Sequence, residues 1–333
     1  MSKGKNIIKR IAGTLMLPVA MYIVMMIMCY ANGKMYFGTW AMWKTLIVDI
    51  AVAVTCAMGI GLQFKCGRFD FSGGAIMLLS VILAGTWVKN FNNNPVVFFI
   101  LCLVLCVAFS VLTGILYVFG RLPIVIATIG MAMLYEALTA LFNNGAGVNL
   151  VAIMSLKTFS TFPVVLVPLI ISIAIYAFYT YGTTTGKKAV ILANNQQAGV
   201  NIGINEKSNV IISYVFSGII FGMATVIYAS TDMRSASFSS LSTVGELFSN
   251  ILPVFIGLML AGFCGDTIGT IMGSITLCLM SYGLTAVFSS EMGTAITTVI
   301  TGIFILVINV VSAQGSSWIA AIKGKLGHKT ASA

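Results

Sequence analysis

The recurrence of long, nearly charge-free apolar runs constrains this chain more than any other feature. The first, residues 11–31, holds no Lys, Arg, Asp or Glu. Helical runs of about 20 such residues match a hydrocarbon layer ~30 Å thick. A lipid-spanning barrel would alternate polar and apolar residues every second position, and these runs do not. Only 8% of the 333 residues are charged and 59% are hydrophobic, against roughly 25% charged in an average soluble domain. No single soluble core of this size could hide so much apolar surface, so the lipid bilayer is part of the solvent.

Further runs lie at 45–63, 72–88, 95–119, 123–142, 162–182, 209–230, 246–262, 267–288 and 294–312. The fold class expected is therefore all-α: a polytopic membrane protein of about ten transmembrane helices, arranged as two inverted five-helix halves. The segments 72–88 and 246–262 are short for a full crossing. Pro253 falls inside a span and predicts a kink or break. Residues 11–31 are too long for the apolar region of a signal peptide and lack a convincing cleavage site, so they are read as an uncleaved first span. The chain divides into an N-terminal segment 1–10, spans one to six over 11–182, a polar loop 183–208, spans seven to ten over 209–312 and a basic tail 313–333.

Charge supplies an independent test of topology. With the N-terminus inside, the cytoplasmic segments carry 13 of the 18 Lys and Arg residues and the outer segments five. That bias is the positive-inside pattern, with both termini cytoplasmic. Trp40, Trp43 and Trp87 fall near outer span ends, where indoles favour the interface. The net charge of +10 thus reads as topology control, with no nucleic acid partner. Six of the seven cysteines lie in apolar runs and read as packing residues. The one histidine, His328, sits in the tail, so no metal or His-based catalytic centre is expected. The chain has no phosphate-binding glycine loop and no catalytic triad material. It is not expected to be an enzyme or to hold a cofactor.

Carboxylates in or beside spans are the informative polar groups, because they must face protein or water. Asp49 lies near Lys44 and is expected to pair with it. Asp70 stands in a Gly-rich stretch with Ser72, Gly73 and Gly74, either as a local cap or as part of a flexible joint lining a pathway. Glu136 lies well inside span five. Its readings are a satisfied structural hydrogen bond or a pathway role. Glu246 opens span eight, where a carboxylate in the first turn suits the helix dipole. Asp266 is placed to cap span nine. Gly218 and Gly222, like Gly269 and Gly273, have the spacing that lets helices approach closely.

Four segments together resemble the permease subunits of ribose/galactose-type ABC sugar importers, over roughly residues 45–312. They are Gly67–Gly74 (GRFDFSGG), the span from Leu122-Pro123 to Gly145, the polar loop with Gly186, Leu192, Asn195, Ala198, Gly203, Ile204 and Asn205, and the run from Glu246 through Gly257, Gly262, Gly265, Gly269 and Gly273. The resemblance implies a subunit that pairs as a homodimer, or as a heterodimer with a related permease, in the bacterial inner membrane. It implies a separate cytoplasmic ABC ATPase and an extracytoplasmic substrate-binding protein. The polar loop would form a short coupling helix, with Asn194 or Asn195 as N-cap and Gly203 as its end. Asn194, Asn195, Gln196, Gln197, Ala198, Gly203, Ile204 and Asn205 would then engage the ATPase. Asp70, Ser72, Gly73, Gly74, Glu136 and Glu246 would line or gate the passage of a small polar solute, a monosaccharide such as ribose. A nucleoside or amino acid, or an ion-coupled mechanism using Glu136 and Asp49, are the alternatives. The chain departs from the family pattern at Gln196, where an acid is usual, at Glu136, and at Ile256 and Phe263, which replace glycines.

Overall fold

A computed structural model describes residues 3–303, except 239–240, 261–262, 289–290, 294 and 301; for residues 3–9 it describes the backbone alone. The span expected at 294–312 and the tail with His328 lie largely or wholly outside the described residues, as do Ala261 and Gly262.

Up to residue 288 the α-helices are, in order, α1 (Lys3–Ala31), α2 (Trp40–Lys65), α3 (Gly73–Trp87), α4 (Pro95–Gly120), α5 (Ile124–Thr139), α6 (Leu166–Ala177), α7 (Thr184–Asn194), α8 (Gln196–Asn201), α9 (Glu206–Tyr228), α10 (Ser242–Leu260) and α11 (Asp266–Val287). Seven are long and apolar enough to cross a membrane. α5 is a shorter apolar helix, and α6 continues through a π-turn at Phe178–Gly182 before the chain bends by 70° into α7. Among the described residues, nine of the ten expected runs contain one of these helices, and seven of those helices qualify as spans by length and composition. Among the described residues there are no strands, only an isolated bridge between Val148 and Arg234.

Two faces follow from which helix ends meet. On one, which we call the α7 face, the end of α2 meets the start of α11 through Lys65 and Asp266 (2.5 Å), and Arg10 donates to the Phe263 carbonyl at 3.0 Å. On the opposite face, the 32–39 loop folds over α11: Phe37 stacks on Tyr282 at 4.7 Å, and the Tyr36 hydroxyl donates to the Leu279 carbonyl at 3.1 Å. Burial pushes the Tyr36 hydroxyl pKa upward.

The centre is built by α2, α3 and α9, whose apolar windows are the most buried of the spans. Small residues set the spacing. A β-carbon on Gly218 would stand 2.7 Å from the Val107 Cα, and one on Gly222 2.8 Å from the Leu103 Cα, so α9 lies backbone-close to α4. Gly269 and Gly273 bring α11 equally close to Gly257 and Pro253 of α10. Both glycine pairs therefore serve packing, as their spacing predicts. α1 stands at the edge, packed on α11 and otherwise mostly exposed.

Three expectations need correction. α10 continues as one helix through Pro253, a buried residue of its interior, so the chain does not break there. Lys44 does not pair with Asp49: five residues along a helix places them about 140° apart, and Lys44 instead lies over the Trp40 ring at 6.0 Å. The 183–208 segment is not a loop but mostly helix. Thr183 caps α7 through the Gly186 amide at 3.0 Å, and α7 buries Gly186, Ala189 and Leu192 along one side.

Candidate functional site

Two groups of residues stand out, a junction inside the bundle and a helical elbow on the α7 face. The junction begins where α2 stops. Gly67, at φ +75°, ends it. The Gly67 amide donates to the Phe64 carbonyl at 2.9 Å, and the Arg68 amide to the Gln63 carbonyl at 3.0 Å. This is the paired closure that a left-handed residue after a helix permits, and glycine adopts that conformation at least cost.

Residues 68–72 then lead into α3. Arg68 is buried, and its guanidinium donates to the Gln63 Oε1 (3.1 Å) and to the Ser213 Oγ of α9 (2.6 Å). Asp70 Oδ1 accepts from the amide and the hydroxyl of Ser72, at 2.8 and 2.6 Å. The other Asp70 oxygen and the hydroxyl of Tyr214 are both buried and lie close enough to interact with each other, outside ideal hydrogen-bond geometry. Gly73 packs on the Phe221 ring, and a β-carbon on Gly74 would stand 2.6 Å from the Thr243 carbonyl oxygen. Gly74 therefore lets the N-terminus of α3 touch the N-terminus of α10, two elements some 170 residues apart in sequence.

Glu136, fully buried, holds that meeting point from α5. Its Oε2 accepts from the Leu241 amide at 2.8 Å. Its Oε1 accepts from the Thr243 amide and hydroxyl at 2.9 and 2.5 Å. The Thr243 amide is an orphan donor of the first turn of α10 and the Leu241 amide lies just ahead of it, so a carboxylate from another helix caps α10. Thr139, one turn further along α5, donates to the Ser237 carbonyl at 3.0 Å and accepts from the Ser237 amide at 2.9 Å.

Glu246 does not sit in the first turn, because α10 begins at Ser242. It is exposed, and its carboxylate accepts from the Tyr228 hydroxyl at 2.8 Å. Arg234 lies 3.2 Å above the Tyr228 ring and donates to the Tyr228 carbonyl. Asp70, Ser72, Gly73, Gly74 and Glu136 thus belong to one buried junction, with Glu246 one turn along α10 on an open side. Sequence reasoning missed Tyr214, Leu241 and Thr243. Thr243, a hydroxyl residue just ahead of an apolar run, was the one available signal.

The elbow is short and closed at both ends. Asn195 is the N-cap of α8, accepting from the Ala198 amide at 3.0 Å. Gly203, at φ +89°, ends it, and the Ile204 amide donates back to the Gly199 carbonyl at 3.1 Å. Asn205 at once caps α9 through the Ser208 amide at 3.1 Å. Asn194, Gln196, Gln197, Ala198, Val200 and Ile202 are exposed, while Ile204 is buried as an anchor. The Gln196 side-chain amide donates to the Glu206 carboxylate at 2.6 Å. The elbow also touches the junction, since a β-carbon on Gly67 would meet the Ala193 Cα at 2.9 Å. No group of ligating side chains suited to a metal ion occurs among the described residues.

Residues 42–309 match the family model described as branched-chain amino acid transport system / permease component. The ribose import permease protein of Escherichia coli (strain K12) is 26% identical over 249 residues, covering 72% of this chain and 76% of that protein. The autoinducer 2 import system permease protein of Photorhabdus luminescens is 25% identical over 248 residues, covering 72% and 73%. The galactose/methyl galactoside import permease protein of E. coli (strain K12) is 22% identical over 265 residues, covering 73% and 78%. No solved structure matches the chain.

Proposed function

Because the chain belongs to the permease-component family of the branched-chain amino acid transport system, we propose that it is the membrane subunit of an ABC importer for a monosaccharide. The observation that carries the reading is the set of relatives: the ribose and galactose/methyl galactoside import permeases each align over most of their length. Ribose itself is one candidate among small polar sugars. The subunit works in the bacterial inner membrane with the α7 face toward the cytoplasm. Two copies, or one copy and a related permease, form the pathway. ATP is hydrolysed on a separate cytoplasmic subunit, and a binding protein delivers substrate from outside.

In this reading the partner ATPase engages α8. The exposed Gln197, Val200 and Ile202 offer a mixed polar and apolar face. Movement passes from α8 through α7 to the α2–α3 joint, and so to the meeting of α3 with α10. Glu136 acts there as a positioning residue, since all three of its contacts serve the α10 backbone and Thr243. Glu246 and the open side of α10 face the passage.

Uptake of labelled ribose and galactose by cells carrying the operon tests the reading. Uptake is expected to vanish when the ATPase is deleted and to be indifferent to an uncoupler of the proton gradient. Uncoupler sensitivity would favour ion coupling, and uptake of a branched-chain amino acid in place of a sugar would overturn the substrate class. Replacing Asn195 and Gln196 by Ala is expected to weaken ATPase association and uptake together; if neither changes, α8 is not the docking element.

A further inference from the structure

A cleft of about 490 Å³ opens on the α7 face where α4 ends and α5 and α9 begin. Its walls include Tyr117, Arg121, Leu122, Gln196, Glu206 and Lys207. A smaller adjoining cavity of about 150 Å³ shares Tyr117, Gln196 and Glu206 and reaches the buried Arg68. Arg121 and Lys207 thus border the cleft and Arg68 the adjoining cavity, with Glu206, which lines both, as their one carboxylate, and that carboxylate already accepts from Gln196. None of the three forms an ion pair among the described residues, where Lys65–Asp266 is the only such pair. Arg68 is 6% exposed and has only neutral hydrogen-bond partners. The buried carboxyl of Asp70, two residues along, already lies within electrostatic reach of this guanidinium, so Arg68 adds to the field of the cleft and is not an unmatched charge.

The cleft also has an apolar side. Leu122, Pro123 and Ile124 form part of its wall. Beside them Phe119, Val125 and Ile126 are 63%, 41% and 61% exposed, as side chains facing lipid are. Lys207 lies 5.5 Å above the Phe119 ring, so a cation stands at the edge of that apolar surface. Basic groups at the end of a bilayer-spanning helix, next to an apolar wall, suit a phosphodiester whose acyl chains run along the wall. We propose that this cleft binds the headgroup of an anionic phospholipid, with Arg121 and Lys207 on the phosphate and Arg68 contributing its field from behind. The site adjoins α8 through Gln196, so an occupied cleft would also brace that helix.

The test uses the purified full-length chain in a neutral detergent, with phosphatidylglycerol or phosphatidylcholine added at equal mole fraction and thermal unfolding followed. Phosphatidylglycerol is expected to raise the melting temperature by about 5 °C more than phosphatidylcholine does. Arg121→Gln with Lys207→Gln is expected to abolish that difference while leaving the melting temperature in phosphatidylcholine unchanged, which shows that the variant folds. Equal shifts from the two lipids, or a difference that survives the double substitution, would overturn the proposal. So would the same shift from millimolar inorganic phosphate, since acyl chains would then contribute nothing. Loss of ATPase association by the double variant in lipid-free detergent would assign the cleft to a protein partner instead.

Discussion

Glu136 and Gly74 show how single residues hold the junction. Glu136→Ala would leave two amides and a hydroxyl buried without an acceptor. Hydrogen bonds to a charged group contribute about 1.5–3 kcal/mol each, so the melting temperature in detergent should fall sharply and uptake should be lost. Glu136→Gln keeps one carbonyl oxygen for Thr243 and is expected to fall between Ala and wild type. An Ala variant as stable as wild type would remove the capping role. Gly74→Ala places a β-carbon against the backbone carbonyl of Thr243, where no side chain can swing aside; a loss of about 1–3 kcal/mol in thermal or denaturant unfolding is expected. The sequence showed that Glu136 was buried and expensive, and it allowed a structural hydrogen bond as one role. It could not show which donors the carboxylate meets, because Leu241 and Thr243 come from the other half of the chain. Glu246 was misjudged for a related reason: its position relative to the helix start depends on four residues, from Ser242, that carry no strong helix signal.

At the level of elements, some caps were legible, and so was the presence of close-packing glycines but not which helix each meets; Asp266, expected to cap α11, is its first residue and pairs with Lys65, with Gly265 at the N-cap. Asn195 and Gly203 act as sequence chemistry predicts, because capping is local and each residue satisfies neighbours within a few positions; the cap that Asn205 gives α9 was not foreseen. α7 was missed because its buried side uses only Gly186, Ala189 and Leu192, while Lys187, Lys188 and the threonines read as solvated loop. Its end rests on Gly67, and residues 65–68 tie to four partners in turn: Lys65 to α11, Cys66 to Tyr179 at 3.6 Å, Gly67 to α7 and Arg68 to α9. Gly67→Ala would force a side chain into a left-handed backbone, at about 1–2 kcal/mol, and push against Ala193. Uptake should fall while the ATPase still co-purifies, which separates transmission from docking. Normal uptake in this variant would mean that α7 and the joint do not act together.

The whole molecule was legible as a membrane bundle from its apolar runs alone, and the described helices follow those runs closely. What periodicity could not supply is the order of packing. α3 against α10 and α9 against α4 depend on glycines whose partners appear only in three dimensions. On the proposed orientation, a cysteine placed at Lys188 should react with a membrane-impermeant thiol reagent only in inside-out vesicles. Labelling in intact spheroplasts would invert the topology.

α1 meets its packing partner late. Most of its contacts are with α11 and the segment just before it, and they join residues about 250 positions apart, as between Arg10 and Phe263 or Cys29 and Gly283. At a synthesis rate of about 5–20 residues per second, α11 is completed roughly 13–50 s after α1 has been made. For that interval α1 is a lone helix solvated by lipid, retained only by its own apolarity. Its final seat is then taken by lateral docking, and a chain stalled before residue 266 would leave this helix free to drift or to be degraded.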